Sequence, residues 1–204
     1  MHYLNSHFIE AMIYFKRFFA VLILSNTFSA FSQDNCVYIA DDIYPGSFGS
    51  LPTNITQLGS ALYFSATGNS SGTELWKFEN GNSTIVMDIN PGAGSSLPVN
   101  FLVSGSDLYF AASNGVNGKE LWKFDGVSAT MVADIFVGPS SSMPDNLTMI
   151  GSTLYFTANN GTSGTELWKY DGVVTSLVAD IFPGAAPSNP SEIVEFGGDV
   201  YFIA

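Results

Sequence analysis

Histidine, arginine and cysteine are nearly missing from this 204-residue chain, which has two histidines, one arginine and one cysteine. The histidines and the arginine (His2, His7 and Arg17) all fall within the first seventeen residues. Beyond that point a Ser-His-Asp triad, a histidine-held metal or a guanidinium clamp cannot be assembled. The lone Cys36 excludes an internal disulfide, and its place suits a small buried apolar residue in a strand. Positive charge is scarce: lysine and arginine total 6 against 18 carboxylates, a formal net charge of −12. Such a surface repels phosphate backbones and anionic headgroups, so nucleic acid and charged membrane surfaces are poor partners. Long apolar runs are absent as well. The stretch Phe18-Phe19-Ala20-Val21-Leu22-Ile23-Leu24 breaks at Ser25-Asn26-Thr27, short of the ~20 residues that span a bilayer.

That stretch follows Lys16-Arg17 and precedes Ser29-Ala30-Phe31-Ser32. A basic segment, a short apolar core and a small-residue exit make residues 1–32 a secretory signal peptide. Cys36 follows Gln33-Asp34-Asn35, without the Leu-x-x-Cys arrangement of a lipoprotein signal. Cleavage removes every histidine and arginine. It leaves four lysines (Lys77, Lys119, Lys123, Lys169) against seventeen carboxylates, a formal net charge of −13. The expected location is secreted, extracellular or at the cell surface, with no membrane insertion after cleavage.

What is abundant is repetition. Glu-Leu-Trp-Lys recurs at 74–77, 120–123 and 166–169, and Asp-Ile at 42–43, 88–89, 134–135 and 180–181. Pro52, Pro98, Pro144 and Pro190 keep the same 46-residue step, as do Gly59, Gly105, Gly151 and Gly197. Tyr-Phe recurs at 63–64, 109–110, 155–156 and 201–202. Within the unit from Pro144, alternating apolar and β-branched residues predict strands over 146–150, 154–158, 166–170 and 176–181. Turns are predicted at Gly151-Ser152, over 159–164, and at Asp171-Gly172. Four short antiparallel strands in each unit of this length predict an all-β fold of β-propeller blades. Residues 33–204 hold a fourth-strand start at 36–43, units from 52, 98 and 144, and a truncated one from 190. The expectation is an incomplete arc of about three and a half blades, a fragment of a longer adhesin-like protein. Its open blade edges would allow self-association.

The recurring Gly-x-x-Gly-Thr-Glu-Leu-Trp-Lys-Phe/Tyr-Asp-Gly, followed by Val-Ala-Asp-Ile-x-Pro-Gly and Leu-Tyr-Phe-x-Ala, resembles the ELW-x-x-DGT repeat family over residues 36–204. Glu79-Asn80-Gly81 departs from Asp-Gly in the first unit, Val137 replaces a loop proline, and the Thr after Asp-Gly is missing throughout. The resemblance implies secreted, propeller-like architecture of Bacteroidetes type. It implies no catalytic residue.

The loops between second and third strands should share a face with the connections between blades. This surface is small, polar and poor in charge, which suits a neutral glycan or a protein ligand. Asn114, Asn117, Asn159, Asn160 and Ser163 are its candidate ligand-binding residues. Trp76, Trp122 and Trp168 are expected in the core. Glu74, Glu120 and Glu166 are expected to form repeated ion pairs between blades with Lys77, Lys123 and Lys169. Asp88, Asp134 and Asp180 are expected to cap the turns that follow them, with calcium as a weaker reading and no other cofactor. A non-catalytic binding or scaffold propeller follows; the alternative is a carbohydrate-active one, lectin or carboxylate-pair glycosidase.

Overall fold

The computed structural model describes residues 40–46 and 48–204. The leader, Cys36 and positions 36–39 of the expected fourth-strand start lie outside the described residues. The rest of that start, 40–43, forms no strand.

Among the described residues the chain is all-β, with no helix. Three four-stranded sheets follow one another: β1 (Thr53–Leu58) to β4 (Asn82–Met87) through β2 (Ala61–Gly68) and β3 (Gly72–Glu79); β5 (Val99–Ser104) to β8 (Ala129–Ala133) through β6 (Asp107–Ala112) and β7 (Glu120–Phe124); and β9 (Asp145–Ile150) to β12 (Thr175–Ala179) through β10 (Thr153–Asn159) and β11 (Thr165–Tyr170). A fourth sheet holds β13 (Ser191–Phe196) and β14 (Asp199–Ile203). Within each sheet the strands pair antiparallel in chain order. The register repeats with the sequence: Phe64, Phe110 and Phe156 lie opposite Trp76, Trp122 and Trp168.

Each first strand carries a bulge near its start. Asn54, Asn100 and Asn146 sit there in the left-handed region, at φ 55, 59 and 52. Asparagine tolerates that region better than most non-glycine residues. Their side-chain amides donate to the carbonyls of Pro98, Pro144 and Pro190, at 3.4, 2.9 and 3.2 Å. Asparagine thus bends the first three of these strands and ties each to the next unit, so that β1, β5, β9 and β13 lie side by side, and Glu192 takes the left-handed position in β13 at φ 53.

Successive sheets pack face to face, because strand side chains alternate between faces. Tyr63 and Leu75 of the first sheet, with Ile89 of the connection after β4, meet Leu108, Phe110, Trp122 and Phe124 of the second. Tyr109 and Leu121 on its other face, with Ile135 of the connection after β8, meet Leu154 and Phe156 of the third, with Trp168 and Tyr170 at the margin. Burying a side chain such as Phe110 completely contributes about 1.5–3 kcal/mol.

Two local expectations change. The strand predicted to 181 ends at Ala179, because Asp180 turns to cap the segment beyond it. The Asp-Gly pairs do not form two-residue hairpins. Asp125 and Asp171 open wider loops, their carboxylates accepting Val127 N–H and Ser128 N–H, and Val173 N–H and Val174 N–H. Between third and fourth strands only Asn80-Gly81, with φ 52 and 82, makes a two-residue turn.

Candidate functional site

The glutamates of the repeated tetrapeptide are fully buried and none pairs with a lysine. Glu74 accepts Ile89 N–H at 2.9 Å, Ser96 N–H at 2.8 Å and Ser96 Oγ–H at 2.6 Å. Glu120 does the same with Ile135 N–H (2.9 Å), Ser142 N–H (2.9 Å) and Ser142 Oγ–H (2.5 Å). Glu166 repeats it with Ile181 N–H (3.2 Å), Ser188 N–H (2.9 Å) and Ser188 Oγ–H (2.5 Å). Each carboxylate therefore clasps the connection that leads from its own sheet to the next. The expected Glu–Lys pairs are corrected: Lys77 meets Glu79 at 3.2 Å and Lys123 meets Asp107 at 2.6 Å. The reason is desolvation. An ammonium brought into that core would lose its hydration, whereas backbone N–H and serine donors are already at hand.

Burial pushes the carboxyls of Glu74 and Glu120 above their ordinary 4.5, against the opposing pull of the serine and backbone hydrogen bonds. An acid with a higher pKa folded than unfolded holds more protons in the folded state between the two values. Stability then falls as pH rises through that window and levels off above it. Asp125 and Asp171, held below their ordinary 3.8 by the N–H groups of Ser128 and Val174, act in the opposite sense. Their contribution is lost only as pH falls below that range. Thermal midpoints measured upward from about pH 4.5 are therefore expected to fall in the wild type, and to fall less steeply in Glu74→Gln/Glu120→Gln. Parallel slopes would exclude these two groups as the cause.

The β2–β3, β6–β7 and β10–β11 loops do share an end of the sheets with the connections. Thr67, Ser113 and Asn159 donate their N–H groups to the carbonyls of Ser50, Ser96 and Ser142, and Gly118 donates to Gly138. All five candidate ligand residues lie at this end, half-buried. Much of their hydrogen-bonding capacity is spent locally. Asn114 Oδ1 accepts Val116 N–H and Asn117 N–H, and Asn160 Oδ1 accepts Thr162 N–H and Ser163 N–H. Asn159 Oδ1 accepts Gly161 N–H at 2.7 Å, and Asn117 Nδ2 donates to Asp134 at 2.6 Å. The loops are stiffened by these turns.

Composition gives no hint of a further group at this end. Leu51, Leu97 and Met143 are 55%, 50% and 61% exposed, and each has a left-handed backbone, at φ 47, 49 and 52. Large apolar residues rarely occupy that region, and strain of this kind concentrates at functional positions. The only sequence signal is the residue before proline recurring at the 46-residue step.

Asp88, Asp134 and Asp180 accept the N–H of Gly92, Gly138 and Gly184 at 3.0, 3.2 and 3.5 Å, which is turn capping. The second oxygens of Asp88 and Asp134 are buried without a hydrogen-bond partner. Calcium takes six to eight oxygens, and no three His, Cys, Asp or Glu side chains cluster among the described residues. An ion there would draw its remaining ligands from water and backbone. Trp122 is buried in the core, while Trp76 and Trp168 are half-buried, with Trp168 Nε1 donating to the Ala158 carbonyl at 3.0 Å. No helix among the described residues is long and apolar enough to cross a membrane. No family model matches the chain, and no curated protein matches it.

Proposed function

We propose that the chain is an arc of an exported β-propeller, similar to the ELW-x-x-DGT repeat proteins, acting as a non-catalytic binding scaffold. Meander sheets in chain order, first strands side by side and faces packed in succession support the blade reading. The observation that carries the binding reading is the loop end: Leu51, Leu97 and Met143, exposed and left-handed, beside stiffened asparagine loops. Exposed apolar side chains flanked by amides suit a neutral glycan or a protein surface. The non-catalytic part is supported by the glutamates, since the repeated carboxylates a glycosidase would draw on are held in clasps away from solvent.

A glycan array, a surface-protein panel and a glycoside hydrolysis screen, each run on the wild type and on Leu97→Asn/Met143→Asn, test this. Asparagine suits the position, because Asn189 occupies it at φ 50 in the next unit. The variant is expected to keep its thermal midpoint and to bind at least about tenfold more weakly, a change of about 1.4 kcal/mol. Undiminished binding by the variant would remove this surface from consideration. Turnover of any glycoside would overturn the non-catalytic reading.

A further inference from the structure

The chain has four asparagine–glycine pairs: Asn80-Gly81, Asn114-Gly115, Asn117-Gly118 and Asn160-Gly161. Such a pair can react with itself, because a glycine nitrogen has no side chain beside it to block its approach to the asparagine Cγ. Three of the pairs are pinned at both reacting groups. Gly115 N–H donates to Ser113 Oγ at 3.2 Å, while Asn114 Oδ1 accepts Val116 N–H and Asn117 N–H. Gly118 N–H donates to the Gly138 carbonyl, and Asn117 Nδ2 to Asp134. Gly161 N–H donates to Asn159 Oδ1 at 2.7 Å, while Asn160 Oδ1 accepts Thr162 N–H and Ser163 N–H. Asn80-Gly81 differs. Both residues are exposed at the tip of the β3–β4 hairpin. Asn82 Nδ2 bonds the Asn80 carbonyl at 3.2 Å, but neither the Asn80 side-chain amide nor Gly81 N–H has a partner among the described residues. Packing draws the same line. A Cβ at Gly115 would strike the Asn90 amide, at Gly118 the Ser140 main chain and at Gly161 the Phe136 ring, whereas at Gly81 it would meet nothing within 4 Å.

We propose that Asn80 is a site of covalent modification by spontaneous deamidation, selected from the four pairs by the fold. The Gly81 nitrogen gives its proton to solvent base and attacks Asn80 Cγ. The N–Cγ bond forms, the Cγ–Nδ2 bond breaks, and Nδ2 leaves as ammonia. Water then opens the resulting succinimide ring. Opening at Cγ gives aspartate at position 80; opening at the main-chain carbonyl gives isoaspartate, whose backbone runs through Cβ and Cγ. Asn80 rests at φ 52, so attack follows a local opening of the hairpin tip. The tip opens without displacing a packed neighbour, which the other three pairs cannot do. Either product sets a new carboxylate beside Glu79, which already accepts Ser60 Oγ–H at 2.9 Å and pairs with Lys77 at 3.2 Å. Isoaspartate also lengthens a two-residue turn, and turn length is what fixes the Glu79↔Asn82 register of the hairpin.

The test incubates the full chain in mildly alkaline buffer, once folded and once unfolded in guanidinium chloride. Peptide mapping by mass spectrometry follows the amide-to-acid change at each of the four asparagines, and fragmentation separates aspartate from isoaspartate. In the folded chain Asn80 is expected to convert at least about tenfold faster than Asn114, Asn117 and Asn160. In denaturant the four rates are expected to converge, because all four pairs share the same asparagine–glycine chemistry. Equal rates in the folded chain overturn the proposal. A lead for Asn80 that persists undiminished in denaturant also overturns it, since flanking sequence and not the fold would then select the site.

Discussion

Glu120→Ala is expected to lower stability by about 3–5 kcal/mol, because one truncation orphans three buried donors and opens a cavity. The truncation leaves Ile135 N–H, Ser142 N–H and Ser142 Oγ–H without their acceptor, in a place where all three donors are buried. Each unsatisfied buried donor costs about 1–3 kcal/mol, and water entering the space left behind recovers part of the sum. For a chain of this length 1 kcal/mol moves the midpoint by about 2–4 °C, so a fall on the order of 10 °C is expected. Glu120→Gln keeps one acceptor oxygen and should cost less. Glu166→Ala should also cost less, because Ile181 is 38% exposed and Ser188 half-buried, so water reaches their donors. Thermal and urea unfolding of the three variants gives the order directly. If Glu120→Ala proves no worse than Glu166→Ala, the clasp does not act through buried donors.

The clasp also shows where sequence reading reaches and where it stops. The 46-residue step placed three complete four-stranded units and the start of a fourth, because strand alternation and turn chemistry are local properties. It placed Trp122 in the core for the same reason, and it anticipated that the aspartates after the fourth strands would cap turns. It misplaced the partner of the glutamates. Glutamate and lysine repeating in step suggested ion pairs between blades, whereas the donors sit 15 and 22 residues away on a connection of no regular structure. The signal was present: Ser50, Ser96, Ser142 and Ser188 keep the same step as the glutamates. A serine in a turn-rich segment looks like turn composition until burial separates it from its neighbours. The left-handed backbone of Leu97 and Met143 left no trace in the sequence beyond their recurring place before proline. Nothing in a leucine or methionine announces that conformation, which is imposed by packing of the connection against Thr73 and Lys119, whose carbonyls accept Leu97 N–H and Met143 N–H.

That same packing makes Gly118→Ala the second change with a large expected effect, about 3 kcal/mol or more. Gly72, Gly118 and Gly164 occupy one position in successive units, and each lies against the backbone of the connection that follows its own sheet. A Cβ at Gly118 would overlap the Ser140 carbonyl and sit 2.5 Å from Ser141 N, and one at Gly164 would lie 2.7 Å from the Ala186 carbonyl group. Overpacking typically costs about 1–3 kcal/mol when side chains can give way. Here the obstacle is main chain, so the segment 136–143 must shift, and Ser142 and the Glu120 clasp move with it. The Gly118 N–H bond to the Gly138 carbonyl, 3.1 Å, is available to alanine too, so loss of a donor is not the cause. Gly105→Ala isolates the other way a glycine can matter. Gly105 has φ +60 and open space where its Cβ would point, so its substitution carries only the left-handed penalty of about 1–2 kcal/mol. Gly118→Ala is expected to exceed it and, by displacing Met143, to weaken ligand capture at the loop end, which Gly105→Ala should leave alone. Equal losses of stability in the two variants would mean that the connection can slide aside, and that the close approach at Gly118 fixes neither the clasp nor the surface built on it.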